Sequence, residues 1–245
     1  MDAEHAPEAA PRGQAERDRV VLTTAGIVDG AKRMGPMGVS ALAFGIAFGV
    51  LARQTGLSAA EALLMSALVM AGASQFVALG LWAAPLPVLP ILVATLAVNS
   101  RHLLLGATML PWFSRLPAWK TYVLLYFLND ANWALSLREF TSGRRDVGFF
   151  LGGGLLLTVV WILGTGLGFA LGGAMGSPAR WGLDFVITAF FIALLMRMWR
   201  GRVDAVPWAV AAAVSLVAAQ LLPSHWHIIA GGIAGGLTGA LRDGA

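Results

Sequence analysis

The stretch Leu86–Leu110, "LPVLPILVATLAVNSRHLLLGATML", is apolar almost throughout except at its centre, where Asn99, Ser100, Arg101 and His102 come consecutively. A helix of about 20 mostly apolar residues crosses a bilayer core of roughly 30 Å. This run reaches that length only if its polar centre is tolerated inside it. An arginine at mid-span costs about 2.5 to 3.5 kcal/mol on insertion scales, so Arg101 should face protein or water and have a partner.

Outward from this stretch, the chain reads as membrane. Of its 245 residues, 58% are hydrophobic and 12% charged, and the mean hydropathy is +0.74, above that of an ordinary soluble domain. Further runs of spanning length are Pro36–Ala52, Ala62–Trp82, Thr121–Leu137, Val147–Gly173 and Leu183–Trp199, followed by the shorter Pro207–Leu222 and Ile228–Leu241. The fold predicted is an all-α integral membrane protein, a bundle of seven or eight transmembrane helices, some of them short or broken. Segments of about ten alternating residues, the mark of a membrane β-barrel, do not occur.

The net charge of +4 and pI near 10.3 fit loops biased toward the cytoplasm better than a nucleic-acid footprint. With eight alternating spans and a cytoplasmic N-terminus, the inner face receives most Arg and Lys, Arg33, Arg138, Arg144 and Arg145 among them. The outer face receives Arg53, Arg115, Lys120 and Arg180. The chain has no cysteine, so neither disulfides nor thiolate metal sites are expected. Residues 1–34 read as a disordered cytoplasmic tail with a short amphipathic piece around Val20–Ile27, and 35–245 as the transmembrane domain. The tail has no apolar core of a secretory signal.

Glycines recur every four residues in the spans: Gly45 and Gly49; Gly164, Gly168 and Gly172; Gly231, Gly235 and Gly239. Small residues at this spacing let membrane helices approach closely. The "GTGLG" among them lies inside an apolar run without a preceding strand and is no nucleotide fingerprint. A shift of 123 residues places Gly45 on Gly168 and Gly49 on Gly172, and a shift of 125 places His102 on His227. An internal repeat is one reading of this echo; it would make "NSRH" and "PSHWH" (223–227) two places where helices stop inside the membrane.

Four polar sites lie within the spans. Gly72, Ser74 and Gln75 in "AGASQF" weaken a helix and bring polar groups into hydrocarbon, either as interhelical glue or as a bent segment offering backbone groups. Arg101 and His102 form the second site; about fifteen apolar residues after Leu86, the arginine reads either as a binding group or as a structural pair or a side chain snorkelling to one interface. In the third, "FLNDANWAL" (127–135), Asp130 sits with Asn129 and Asn132; as a buried acid it would gain proton affinity, or it could be the counter-ion of Arg101. Asp184 reads best as a helix-dipole partner. The two histidines of "PSHWH" lack further ligands, so no metal is expected, and no arrangement suggests an enzyme.

The segments "MAGASQFVALGL", "VNSRHLLLG" and "FLNDANWAL", in this order, resemble the AzlC family of branched-chain amino acid exporters, with the resemblance running from about Gly35 to Leu241. It implies the large subunit of a bacterial inner-membrane transporter that exports valine, leucine, isoleucine and methionine. It also implies drive by the proton-motive force, a small AzlD-type hydrophobic membrane subunit as partner, and no cofactor. Family members often follow the fourth-span acid with a second one, whereas here Asp130 is followed by Ala131 and Asn132.

Joined into a mechanism, Arg101 or the backbone N–H groups near Gly72, Ser74 and Gln75 would hold the carboxylate of an amino acid. Asn99, Asn129 and Asp130 would hold its ammonium, with Phe76 and Trp133 lining the side-chain pocket and Asp130 or His102 carrying the proton. The alternatives are a channel or carrier for another small solute and a non-transporting assembly subunit. A homo-oligomer is left open.

Overall fold

The computed structural model describes residues 20–174, 201–222 and 226–243, with isolated positions between 185 and 199. The described residues are helical: α1 (Thr24–Gln54), α2 (Ala59–Leu68), α3 (Gly72–Gly80), α4 (Val88–Asn99), α5 (Arg101–Phe113), α6 (Ala118–Tyr126), α7 (Asp130–Thr141), α8 (Gly148–Ala174), α9 (Arg202–Leu221) and α10 (Trp226–Asp243). Asp184, the sixth run Leu183–Trp199 and the start of "PSHWH" lie outside the described residues, apart from isolated positions of that run.

Two compact units divide the chain: Met1–Ser40 with His102–Val159, and Ala41–Arg101 with Val160–Ala245. The core of the first holds Met109, Phe113, Leu124, Phe140, Val147 and Phe150, with the Phe113 and Phe150 rings edge to face at 5.2 Å. That of the second is built on Phe48, Leu51, Phe76 and Leu79, with Trp161 and Phe169 packed against it.

The first helix begins at Thr24, well before the span start at Pro36. Charge pairing supports the added turns. Arg33 bonds Asp29 at 3.3 Å and Glu139 at 2.9 Å, and Arg144 bonds Asp29 at 2.7 Å and Glu139 at 3.2 Å, closing a ring of two cations and two anions. Arg33 and Arg144, assigned to one membrane face by charge alone, are thus held together within the first unit. Asp146 pins the entry of α1 to that of α8: it accepts from the Thr23 N–H and hydroxyl and from the Gly148 N–H.

Backbones of α1 and α8 touch. In the first unit Ile27 abuts Gly152 and Gly38 faces Leu156; in the second a methyl on Gly45 would stand 2.8 Å from Trp161 O, and one on Gly164 2.8 Å from Leu42 O. Facing positions rise together, so the two helices run parallel. The 123-residue echo falls on these helices: Gly168 meets Ile46, and Gly172 meets Val50. Close packing gives the matching glycines a local cause.

The run Ala62–Trp82 is two helices separated by Val69–Ala71. α2 starts with a capping box in which Ser58 accepts from the Glu61 N–H, and Glu61 Oε2 accepts from the Ser58 N–H at 2.7 Å. Ser58→Ala is expected to cost about 1 kcal/mol and lower the melting temperature by roughly 2–4 °C, read by thermal denaturation. The Glu61 carboxyl is held below its ordinary range, first by the Ser58 backbone N–H and then by the Ser58 hydroxyl. A depressed acid contributes fully at neutral pH and loses that contribution as pH falls through its folded value. The acid-side drop in melting temperature is therefore expected to be smaller in Glu61→Gln.

"NSRH" is not a stop. Val88–Phe113 runs as one 26-residue helix, with Ser100 in right-handed helical geometry and its N–H bonded to Leu96 O at 2.8 Å. Arg101 is therefore near the middle of a helix of about 39 Å. Leu92, Leu96, Leu103, Leu104 and Leu110 leave this helix with exposed apolar side chains along its length. His227, by contrast, lies in the first turn of α10, which leaves the second half of the echo without a matching environment.

Candidate functional site

The broken helix α2–α3 carries the "GASQF" residues, all in the second unit. Gln75 is fully buried and closes the break: its Nε2 donates to Met65 O at 2.8 Å and Val69 O at 2.9 Å, and its Oε1 accepts from Trp161 Nε1 at 3.0 Å. Ser74 donates to Ala71 O at 2.8 Å. Of these carbonyls, Met65 O and Ala71 O also accept from the Val69 and Gln75 N–H groups, and Val69 O is the one for which the Gln75 amide stands in at the break. Gly72 lies under the Trp161 ring, where a methyl would fall 2.7 Å from the indole. Phe76 is fully buried, edge to face with Phe48 at 5.9 Å and with Trp161 at 6.4 Å. α3 starts without a side-chain cap.

Asn99 and Arg101 are half-buried at the centre of the Val88–Phe113 helix, as is His102. A cavity of about 710 Å³ in the same unit lies between α3, α4 and α10, with walls that include Val77, Gly80, Ala94, Ala97, Ile229 and Gly232. Its lining is wholly aliphatic or glycine. Ala94, Ala97 and Arg101 are spaced as one helical stripe, which places the arginine one turn beyond the cavity wall.

The third site, in the first unit, is a second broken helix, α6–α7, interrupted at Phe127–Asn129. Asn129 caps α7 by accepting from the Asn132 N–H at 3.0 Å, and half-buried Asp130 opens the helix. Trp133 packs on the first core and donates from Nε1 to Thr108 Oγ1 at 2.8 Å. Arg101 belongs to one unit and Asp130 to the other.

Sequence reasoning missed several residues. Trp161 looks like any aromatic in an apolar run, and only its bond to Gln75 reveals its place. The aliphatic cavity walls carry no signature. Asp204 is 6% exposed in the first turn of α9, ahead of the apolar run that starts at Pro207. An acid three residues ahead of a proline that opens an apolar run was the available signal.

The family model described as AzlC protein matches residues 36–175, more than half of the chain and all three polar segments. The chain belongs to the AzlC family. Among its relatives, the Branched-chain amino acid transport protein AzlC of Bacillus subtilis is 32% identical over 67% of this chain and 64% of its own length. Inner membrane protein YgaZ of Escherichia coli is 26% identical over 89% of this chain and 91% of its own. An uncharacterized membrane protein of Helicobacter pylori is 29% identical over 77% and 82%. The chain thus spans just under two thirds of the B. subtilis AzlC protein. No solved structure matches it. Of the cavity walls, α3 and α4 fall inside the AzlC match and α10 beyond it.

Proposed function

We propose that this chain is a secondary transporter that exports branched-chain amino acids across the bacterial inner membrane. The observation that carries the reading is the aliphatic cavity between α3, α4 and α10 with Arg101 one turn along the same stripe of its helix. A branched-chain amino acid has two ends with opposite demands. Its side chain gains by leaving water for an aliphatic pocket, and its carboxylate needs a cation with hydrogen-bond donors. Arg101 supplies the second and the cavity the first, while Asn99 lies on another face of the same helix and adds a polar group at the same depth.

In this reading Gln75, Ser74 and Phe76 hold the wall in shape. Asp130 or His102 carries the proton, and a small AzlD-type hydrophobic subunit completes the transporter in a membrane where the N-terminus faces the cytoplasm. The B. subtilis relative, a branched-chain amino acid transport protein by name, supports the substrate class.

The test is efflux of labelled leucine, isoleucine and valine from proteoliposomes under an imposed pH gradient, with and without the small subunit. Gradient-dependent efflux is expected, and retention of all three would overturn the reading. Asp130→Asn should insert normally and still exchange internal for external leucine while losing the response to the gradient. A normal pH response in that variant removes Asp130 from the proton path.

A further inference from the structure

The cavity between α3, α4 and α10 is wider than a branched-chain amino acid needs. A heavy atom takes roughly 30 Å³ at the density of liquid water, so the nine of leucine fill roughly 270 Å³ and leave most of the about 710 Å³ empty. A void beside a ligand weakens its binding, because atoms on the open side have nothing to touch. Full-size side chains line much of the wall, Val77, Leu81, Val93 and Ile229 among them. Gly80 at the end of α3 and Gly232 in α10 stand in the same wall with no side chain at all.

Close packing does not account for these two glycines. On α10, Gly231 and Gly235 face α9, and a methyl on either would stand 2.8 Å from an atom of Ala211. A methyl on Gly232, one position after Gly231, meets nothing within 4 Å, and neither does one on Gly80. Alanine would also make the steadier helix at Gly232. Ile228 and Ile229, one turn before Gly232, line the cavity as well, so a side chain at 232 would enter it.

The wall also states what can fill the space. It carries no polar side chain, so the occupant must be apolar to its tip. The hydroxyl of tyrosine and the indole N–H of tryptophan want partners when buried and find no side chain to supply one. Phenylalanine satisfies both demands, with twelve heavy atoms that take roughly 360 Å³ on the same scale. We propose that Gly80 and Gly232 set the size limit of this cavity and admit the ring of phenylalanine, making a large apolar amino acid a substrate beside the branched-chain ones. Export of phenylalanine rests on the transport reading above; its binding does not.

The full chain, purified in detergent, is melted with valine, leucine, phenylalanine or tyrosine, and the same four are followed as efflux from proteoliposomes under the imposed pH gradient. Each further buried carbon should tighten binding about fourfold, so leucine is expected to outbind valine by about that factor and phenylalanine to outbind leucine by at least tenfold. Tyrosine should bind at least tenfold more weakly than phenylalanine. Gly80→Val and Gly232→Val should each invert the order of phenylalanine and valine by narrowing the wall. Gly80→Ala and Gly232→Ala should melt no lower than the wild type without amino acid, since neither methyl meets another atom. A wild-type preference for leucine over phenylalanine, an order that survives in either valine variant, or a lower melting temperature in either alanine variant overturns the proposal. Efflux of leucine with phenylalanine excluded overturns it too and leaves the transport reading standing. Stabilisation in the expected order by a chain that moves no amino acid would do the reverse, and stabilisation by none of the four without efflux would overturn both.

Discussion

Replacing Gln75 by leucine is expected to cost about 4 kcal/mol and to remove most of the folded protein from the membrane fraction. The amide satisfies Val69 O, adds a bond to Met65 O and accepts from Trp161 Nε1, all at 2.8 to 3.0 Å in a fully buried position. Leucine fills similar space but leaves the Val69 carbonyl and the indole N–H with no partner, each at a cost of about 1–3 kcal/mol. Gln75→Glu should be no better. Its carboxylate can still accept from Trp161 but places a charge against two carbonyl oxygens, of which Val69 O loses its donor. Fluorescence-detected size exclusion of the solubilised chain measures the folded fraction. A Gln75→Leu chain that folds at wild-type yield, with only its affinity for leucine reduced, would return Gln75 to the substrate site.

Arg101→Met should have the opposite profile. Insertion becomes easier without a cation at mid-helix, by up to about 2.5 to 3.5 kcal/mol, so the amount of inserted protein should hold or rise. Leucine efflux should nonetheless fall by roughly a hundred-fold, because a charge-assisted contact to the substrate carboxylate is lost. Arg101→Lys keeps the charge but not the planar two-pronged donor and should land between the two. Efflux per inserted molecule in proteoliposomes makes the comparison. Wild-type efflux by Arg101→Met would take the cation out of the proposed site and leave the uncapped start of α3 as the remaining anion-binding group.

The spans were legible because a bilayer needs about 20 apolar residues and the chain offers such runs in plain view. The start of α1 was not, since its first turns are steadied by Glu139 and Arg144, more than a hundred residues away in sequence. "GASQF" correctly marked a weak helix, but the break falls at Val69–Ala71, just ahead of it. The same polar letters read equally as binding groups or as glue. The partners of Gln75, one of them 86 residues distant, cannot be read from those letters. On the reading of an internal repeat "NSRH" would stop a helix, yet Ser100 returns its hydroxyl to Ala97 O and the helix continues, as a single span with a tolerated polar centre. Val77, Ala94 and Gly232 form a cavity wall through where they are placed, which side-chain type does not encode.

The parallel contact of α1 with α8 sets a parity on the chain between them. Two neighbours pointing the same way must be separated by an odd number of membrane crossings. Val88–Phe113 supplies one crossing, so the interrupted segments 59–80 and 118–141 contribute either two more or none. Neither can turn back alone without inverting α8 against α1, whose parallel contact runs through Gly45 and Gly164. The two interruptions therefore share a single topological fate, although they are braced by different amides in different units.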